Sequence, residues 1–124
     1  MTLKPKSIRP FIGSKEYNLS REFYKDLGFE EFVISHNMSA FKTGEFAFYL
    51  QDYYAKDWID NTMVFLEVDN VQHHLQKLKN SGITEKYDHV RCSEIVYNEW
   101  GNEFFLHDPS GILWHFGEFN TKVK

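Results

Sequence analysis

Apolar residues recur at helical spacing in two stretches of the chain. Leu19, Phe23 and Leu27 stand at i, i+4 and i+8, which places them on one face of a helix. Asn18 is positioned to cap that helix and Gly28 to end it. Val71, Leu75 and Leu78 repeat the arrangement over 71–79, closed by Gly82. Elsewhere the period shortens to two, the mark of strands. Ser7 to Ser14 reads as an extended first strand containing Pro10. Strands over 29–35, 38–42 and 45–50 follow, separated by the turn-like pairs His36-Asn37 and Thr43-Gly44. Further strands are expected over 62–69, 91–97, 103–107 and 112–116. The last two flank Asp108-Pro109-Ser110-Gly111, a tight turn in which Pro109 pre-sets φ and Gly111 is free to take a positive one.

The second half therefore repeats the first: strand, helix, then three strands, with each helix-ending glycine followed by an apolar residue, Phe29 or Ile83. The fold class is α+β, built from two tandem βαβββ units at about 7–51 and 62–118. The connection, 52–61, carries Tyr53, Tyr54 and Trp58 and is too irregular to assign. At 124 residues the chain suits a single domain. Each helix covers one face of its sheet, so two joined units should curl into a mixed sheet with a concave cavity.

Composition narrows the chemistry. Aromatic residues make up 18% of the chain, with 12 Phe and 7 Tyr, which favours a stacking site. The net charge of −4 comes without a basic run, so no nucleic-acid partner is expected. No apolar run approaches membrane-spanning length, and the lone Cys92 cannot form an internal disulfide. No membrane partner is expected, and a cytoplasmic location fits. His73 and His74 are adjacent on a helix and point apart, and His36 and His89 sit in turns without a paired acid. His107 and His115 can approach across the last hairpin, while Glu118 lies on the opposite face of the strand from His115.

Three blocks carry a family resemblance: Phe23-Tyr24-Lys25-Asp26-Leu27-Gly28-Phe29; Asp60-Asn61-Thr62 leading into a strand; and the hairpin from Trp100-Gly101 to Glu118, with Asp108-Pro109 and His115-Phe116. Together they resemble the vicinal-oxygen-chelate superfamily, which groups glyoxalase I, extradiol dioxygenases, fosfomycin-resistance enzymes and bleomycin-resistance binding proteins. The last branch is the nearest in motif. The resemblance implies that the superfamily's metal-ligand positions fall at Arg9 (or Ser7 in the alternative register), Tyr49, Met63 and His115. Among these, His115 alone suits a divalent ion, and one imidazole does not hold one. Neither metal nor cofactor is expected.

The resemblance also gives Trp100 the role of stacking on a drug, with Phe32, Met38 and Phe41 on the opposing wall. It further implies a strand-exchanged homodimer hinged near Pro10. Strand alternation adds Met63, Phe65 and Glu67, then Ala47, Tyr49 and Gln51, then Arg9, Phe11, Leu113 and His115 to the cavity side. Val64, Leu66, Val68, Phe46, Phe48 and Leu50 go to the core. Arg9 either pairs with Glu67 or binds an anionic ligand group, and Arg9 departs from the drug-binding pattern, as does the modest net charge.

The expected function is metal-free binding and sequestration of a small aromatic molecule, such as a bleomycin-type glycopeptide. The alternatives are a metal-dependent glyoxalase- or dioxygenase-type enzyme using His115, and a concave face that binds another protein.

Overall fold

The computed structural model describes residues 1–120. Its first unit consists of β1 (Phe11–Ile12), α1 (Tyr17–Leu27), β2 (Glu30–Ser35), β3 (Met38–Thr43) and β4 (Phe46–Gln51). The connection holds a short helix, α2 (Lys56–Asp60). The second unit consists of β5 (Met63–Glu67), α3 (Val71–Ser81), α4 (Ile83–Lys86), β6 (Arg91–Cys92), β7 (Val96–Tyr97), β8 (Gly101–His107) and β9 (Leu113–Phe119). The strands divide into two mixed sheets of the same order, β1-β4-β3-β2 and β5-β9-β8-β6, with β7 also on β8. In both, the first strand lies parallel to the last, and the others pair antiparallel. Phe11 faces Tyr49 in one sheet as Phe65 faces His115 in the other.

Several elements differ from expectation for identifiable reasons. The first strand shrinks to Phe11–Ile12 because Pro10 has no N–H to donate and Ser14 N–H turns to the Tyr53 carbonyl at 2.9 Å. Residue 16, not Asn18, caps α1: Glu16 is extended but makes no side-chain cap, and Asn18 Oδ1 instead accepts from Arg21 Nη1 at 3.0 Å. The strand over 91–97 is interrupted. Cys92 faces Leu106 and Val96 faces Glu103, so one strand carries an extra residue, as in a bulge. There Ser93 Oγ accepts the Phe105 N–H at 2.9 Å. By contrast α3 forms as patterned, with Val71, Leu75 and Leu78 buried and the Asn70 side chain accepting from His73 N–H. Gly28 and Gly82 end their helices with φ of 119° and 73°, where a Cβ would be strained.

One hydrophobic core takes residues from both units. Trp114 of β9 lies against Tyr24 of α1, Phe29, and Phe48 of β4, with ring centroids 5.7, 5.7 and 5.5 Å away. A buried polar chain ties this cluster to the last turn. Trp114 Nε1 donates to the Tyr24 hydroxyl at 2.9 Å, and that hydroxyl donates to Asp108 Oδ2 at 2.6 Å. Asp108 Oδ1 accepts the N–H groups of Ser110, Gly111 and Ile112 at 2.8, 2.9 and 2.9 Å. Burial raises the Asp108 carboxyl, and these bonds oppose the rise.

Two core assignments require correction. Phe41, expected on the ligand wall, is 0% exposed. It pairs with Phe48 across β3 and β4 and stacks on that ring at 5.7 Å, because alternation on β3 sends Ser39 and Phe41 inward and Met38 and Ala40 outward. Phe46, expected in the core, is 76% exposed. It starts β4 and lines a groove there instead of packing under a helix.

Candidate functional site

The sheet faces turned away from the core carry most of the residues singled out in the sequence. On the second sheet, β5 supplies Met63 and Phe65, β9 supplies Leu113, His115, Gly117 and Phe119, and β8 supplies Glu103, Phe105 and His107. Cross-strand register places Phe65 opposite His115, and His115 opposite Phe105. Their rings form a continuous surface. Trp100, just before β8, is 5.3 Å from Phe119 and 6.0 Å from Phe65, centroid to centroid. Phe119 is 5.7 Å from Phe65, Phe65 stacks near His115 at 6.2 Å, and His115 meets Phe105 edge-on at 5.1 Å. Phe65 is 45% exposed and Trp100 39%, so these ring faces are available to a ligand.

Polar groups orient the middle of this surface. His115 Nδ1 lies 3.1 Å from Glu103 Oε1, while Glu103 Oε2 accepts from Asn98 Nδ2 at 3.1 Å. A carboxylate oxygen accepts only, so Nδ1 carries the proton in this bond and Nε2 is left as an acceptor when the ring is neutral. Glu103, Phe105 and Phe119 were not singled out in the sequence. Alternation along 103–107 marks the first two as facing the same way as His115's partner positions. Phe119 lay beyond the expected end of the strand at residue 116. Beside them, Arg91, Ser93, Phe105, His107 and Leu113 line an open hollow, where burial and then Arg91 push the His107 imidazole below its ordinary value.

The outer face of the first sheet collects a second set. Tyr49 and Gln51 of β4, Met38 of β3 and Phe32 of β2 share it, since Met38 faces Gln51 and Ala40 faces both Tyr49 and Phe32. Phe11 and Tyr49 have centroids 5.0 Å apart. Arg9 lies over the Tyr49 ring, with its Cζ 5.6 Å from the centroid. Of the two readings of Arg9, the ion pair with Glu67 is not formed: no carboxylate lies within 4.0 Å of Arg9 among the described residues. Arg9 precedes β1 beside the first sheet, and Glu67 ends β5 in the second. Where the two sheets meet, Pro10, Phe46 and Ala47 of the first and Val64, Phe65 and Glu67 of the second help line a groove of about 350 Å³.

The donor set does not fit a divalent ion. Arg9, just before β1, lies with Tyr49 at the first sheet, and Met63 and His115 lie on the second. Guanidinium offers no lone pair, thioether suits soft metals, and His115 Nδ1 is engaged by Glu103. No group of three or more His, Cys, Asp or Glu is arranged to hold a metal among the described residues. No helix among them is long and apolar enough to cross a membrane.

Neither a protein-family model nor a curated protein matches the sequence. Solved structures do match. A bleomycin resistance determinant encoded on the transposon Tn5 superposes with a TM-score of 0.79 at 18% identity, over 94% of this chain and 100% of that one. The bleomycin-binding protein of the bleomycin producer Streptomyces verticillus, complexed with copper(II)-bleomycin, gives 0.77 at 19% identity, over 93% and 97%. Lactoylglutathione lyase from Agrobacterium tumefaciens gives 0.68 at 16% identity, over 92% and 94%. The chain shares the fold of these three structures, and among them the two bleomycin-related ones superpose best.

Proposed function

We propose that this chain, which shares its fold with bleomycin-binding proteins, captures a small flat aromatic molecule on the ring-lined face of its second sheet and sequesters it without a metal or chemical conversion. The observation that carries the reading is the unbroken series Trp100, Phe119, Phe65, His115 and Phe105 on an open sheet face. Stacking on each ring contributes about 0.5–1.5 kcal/mol beyond burial. His115 Nε2, left as an acceptor by the Glu103 contact, adds a directional hydrogen bond to a ligand N–H or O–H. Trp100, Phe65, Met63 and His115 are the contacts on this sheet, and Phe32, Met38, Tyr49 and Gln51 those on the first.

Within that class the favoured ligand is a bleomycin-type glycopeptide, bound in the cytoplasm as a means of resistance. The Streptomyces verticillus protein, a chain of the same fold, is complexed with such a ligand. The assembly is a homodimer of single-domain chains. Phe11, Phe32, Met63, Phe65 and Trp100 are exposed on the two open faces, and a second copy across a two-fold axis covers such area and walls the site. In that dimer the first strand is exchanged at a hinge near Pro10, so that the partner's strand takes the place beside β4 that β1 occupies within one chain.

A thermal-shift series against metal-free bleomycin, neutral polyaromatics and divalent metal salts tests the reading, since a ligand selective for the native state raises the melting temperature by mass action. Stabilisation by the aromatic compounds in the presence of EDTA is expected. Stabilisation by metals alone would favour the enzyme reading, to which the likeness to lactoylglutathione lyase lends its support. Light scattering on a size-exclusion column at micromolar concentration should give the mass of two chains, and a monomer mass would remove the dimer.

A further inference from the structure

Arg9 is a cation that this chain does not itself satisfy. Its Nε is buried with no hydrogen-bond partner, and its Nη1 reaches only the Tyr49 hydroxyl, at 3.4 Å. A guanidinium N–H removed from water without an acceptor is costly, and the rest of this half-buried group, held by the long Tyr49 contact, is what an acceptor from outside can reach.

The surroundings specify that acceptor. The Tyr49 hydroxyl stands beside the guanidinium and is free to donate its own proton to an incoming acceptor. Lys42, facing Ala47 across the same sheet, holds its Nζ 5.6 Å from the Phe32 centroid and forms no ion pair among the described residues. The acid on this face is Glu30, opposite Lys42 on β2. That is three strands from β1, roughly 14 Å at ordinary strand spacing. Across the groove, Glu67 lies beyond 4.0 Å of the guanidinium.

We infer that the first sheet's open face binds an oxyanion, a carboxylate or sulfonate carried by the flat aromatic ligand. Arg9 is its charged partner, and the Tyr49 hydroxyl is a neutral donor. The inference rests on the aromatic-stacking reading above and not on its bleomycin-type ligand, which is cationic: the ligand is an aromatic anion. A guanidinium presents parallel N–H groups matched to two oxygens of such a group, and Phe11 and Tyr49 border it with apolar surface.

Two fluorescent naphthalene probes separate the possibilities. 1-Anilinonaphthalene-8-sulfonate and neutral N-phenyl-1-naphthylamine share their ring system and differ by the sulfonate. The full-length protein is expected to bind the sulfonate about tenfold more tightly or better, as for a charge-assisted hydrogen bond. Arg9→Gln should abolish that preference and leave the neutral probe within about twofold, whereas Arg9→Lys should retain part of it. Trp100→Ala should weaken both probes. Equal affinity for the two probes in the native protein, or an Arg9→Gln variant that keeps the preference, overturns the oxyanion site and leaves the stacking reading standing. Absence of saturable binding by either probe overturns the stacking reading, and this inference with it.

Discussion

The Phe65 ring lies across Gly117 so closely that a Cβ at the glycine would sit 2.3 Å from the ring's Cζ. The glycine is thus a seat for the central ring of the aromatic surface. Gly117→Ala should force Phe65 to turn away, since that side chain is half in solvent and free to move. Aromatic probe affinity should fall about tenfold, within the range of one lost aromatic contact, with the far-UV circular dichroism unchanged. Fluorescence titration measures the first and the spectrum the second; undiminished affinity would show that Phe65 is not part of the surface that binds.

The chain from Trp114 through Tyr24 to Asp108 joins α1 to the final hairpin. Tyr24→Phe leaves Trp114 Nε1 without an acceptor and takes one donor from a buried carboxylate. A loss of about 1–3 kcal/mol is expected, read by urea denaturation. A loss under about 0.5 kcal/mol would mean that the network contributes little to stability.

Acid should destabilise the fold through Asp26 and Glu31. Lys86 and then Tyr87 hold the Asp26 carboxyl below its ordinary 3.8. Burial works to raise Glu31, but Arg21, Ser39 and Lys25 outweigh it and hold it below 4.5. A carboxyl depressed in the native state contributes stability above its unfolded pKa and loses it as pH falls through the native one. Asp108, raised by burial, acts in the opposite sense. The Asp26→Asn, Glu31→Gln double variant should therefore lose less melting temperature between pH 7 and pH 3 than the native protein. The effect will be modest, since Asp26 is partly screened by solvent. An identical loss would contradict these assignments.

Burial pushes the Cys92 thiol up to about 11, so little thiolate is present near neutrality. Iodoacetamide at pH 8 should label the native protein far more slowly than protein in denaturant. Equal rates would contradict a sheltered thiol.

Much of the architecture was legible because the apolar period changes cleanly from helix to strand and back, and because the same order of elements occurs twice. Alternation also assigned Met63 and Phe65 correctly to the open face, and Val64 and Leu66 to the core side. For Phe41 the resemblance, which sets the residue on the ligand wall, runs against the alternation that separates it from its neighbours Met38 and Ala40, and the alternation holds. Alternation itself fell short elsewhere. It failed for Phe46, because a period of two gives the face of a strand but not where the covering layer stops. The Arg9 and Glu67 pairing rested on strand order, which does not fix the distance between sheets. Glu103 was missed as the partner of His115 because only the β8–β9 register brings residues 12 apart in sequence to 3.1 Å.

The most direct test of the account is a titration of neutral N-phenyl-1-naphthylamine, with EDTA present, into the native protein and Trp100→Ala. Removing a central interface aromatic costs about 2 kcal/mol or more, so saturable binding that weakens roughly 30-fold in the variant is the predicted result. Equal affinity in the two proteins, or binding that requires an added metal, would contradict it.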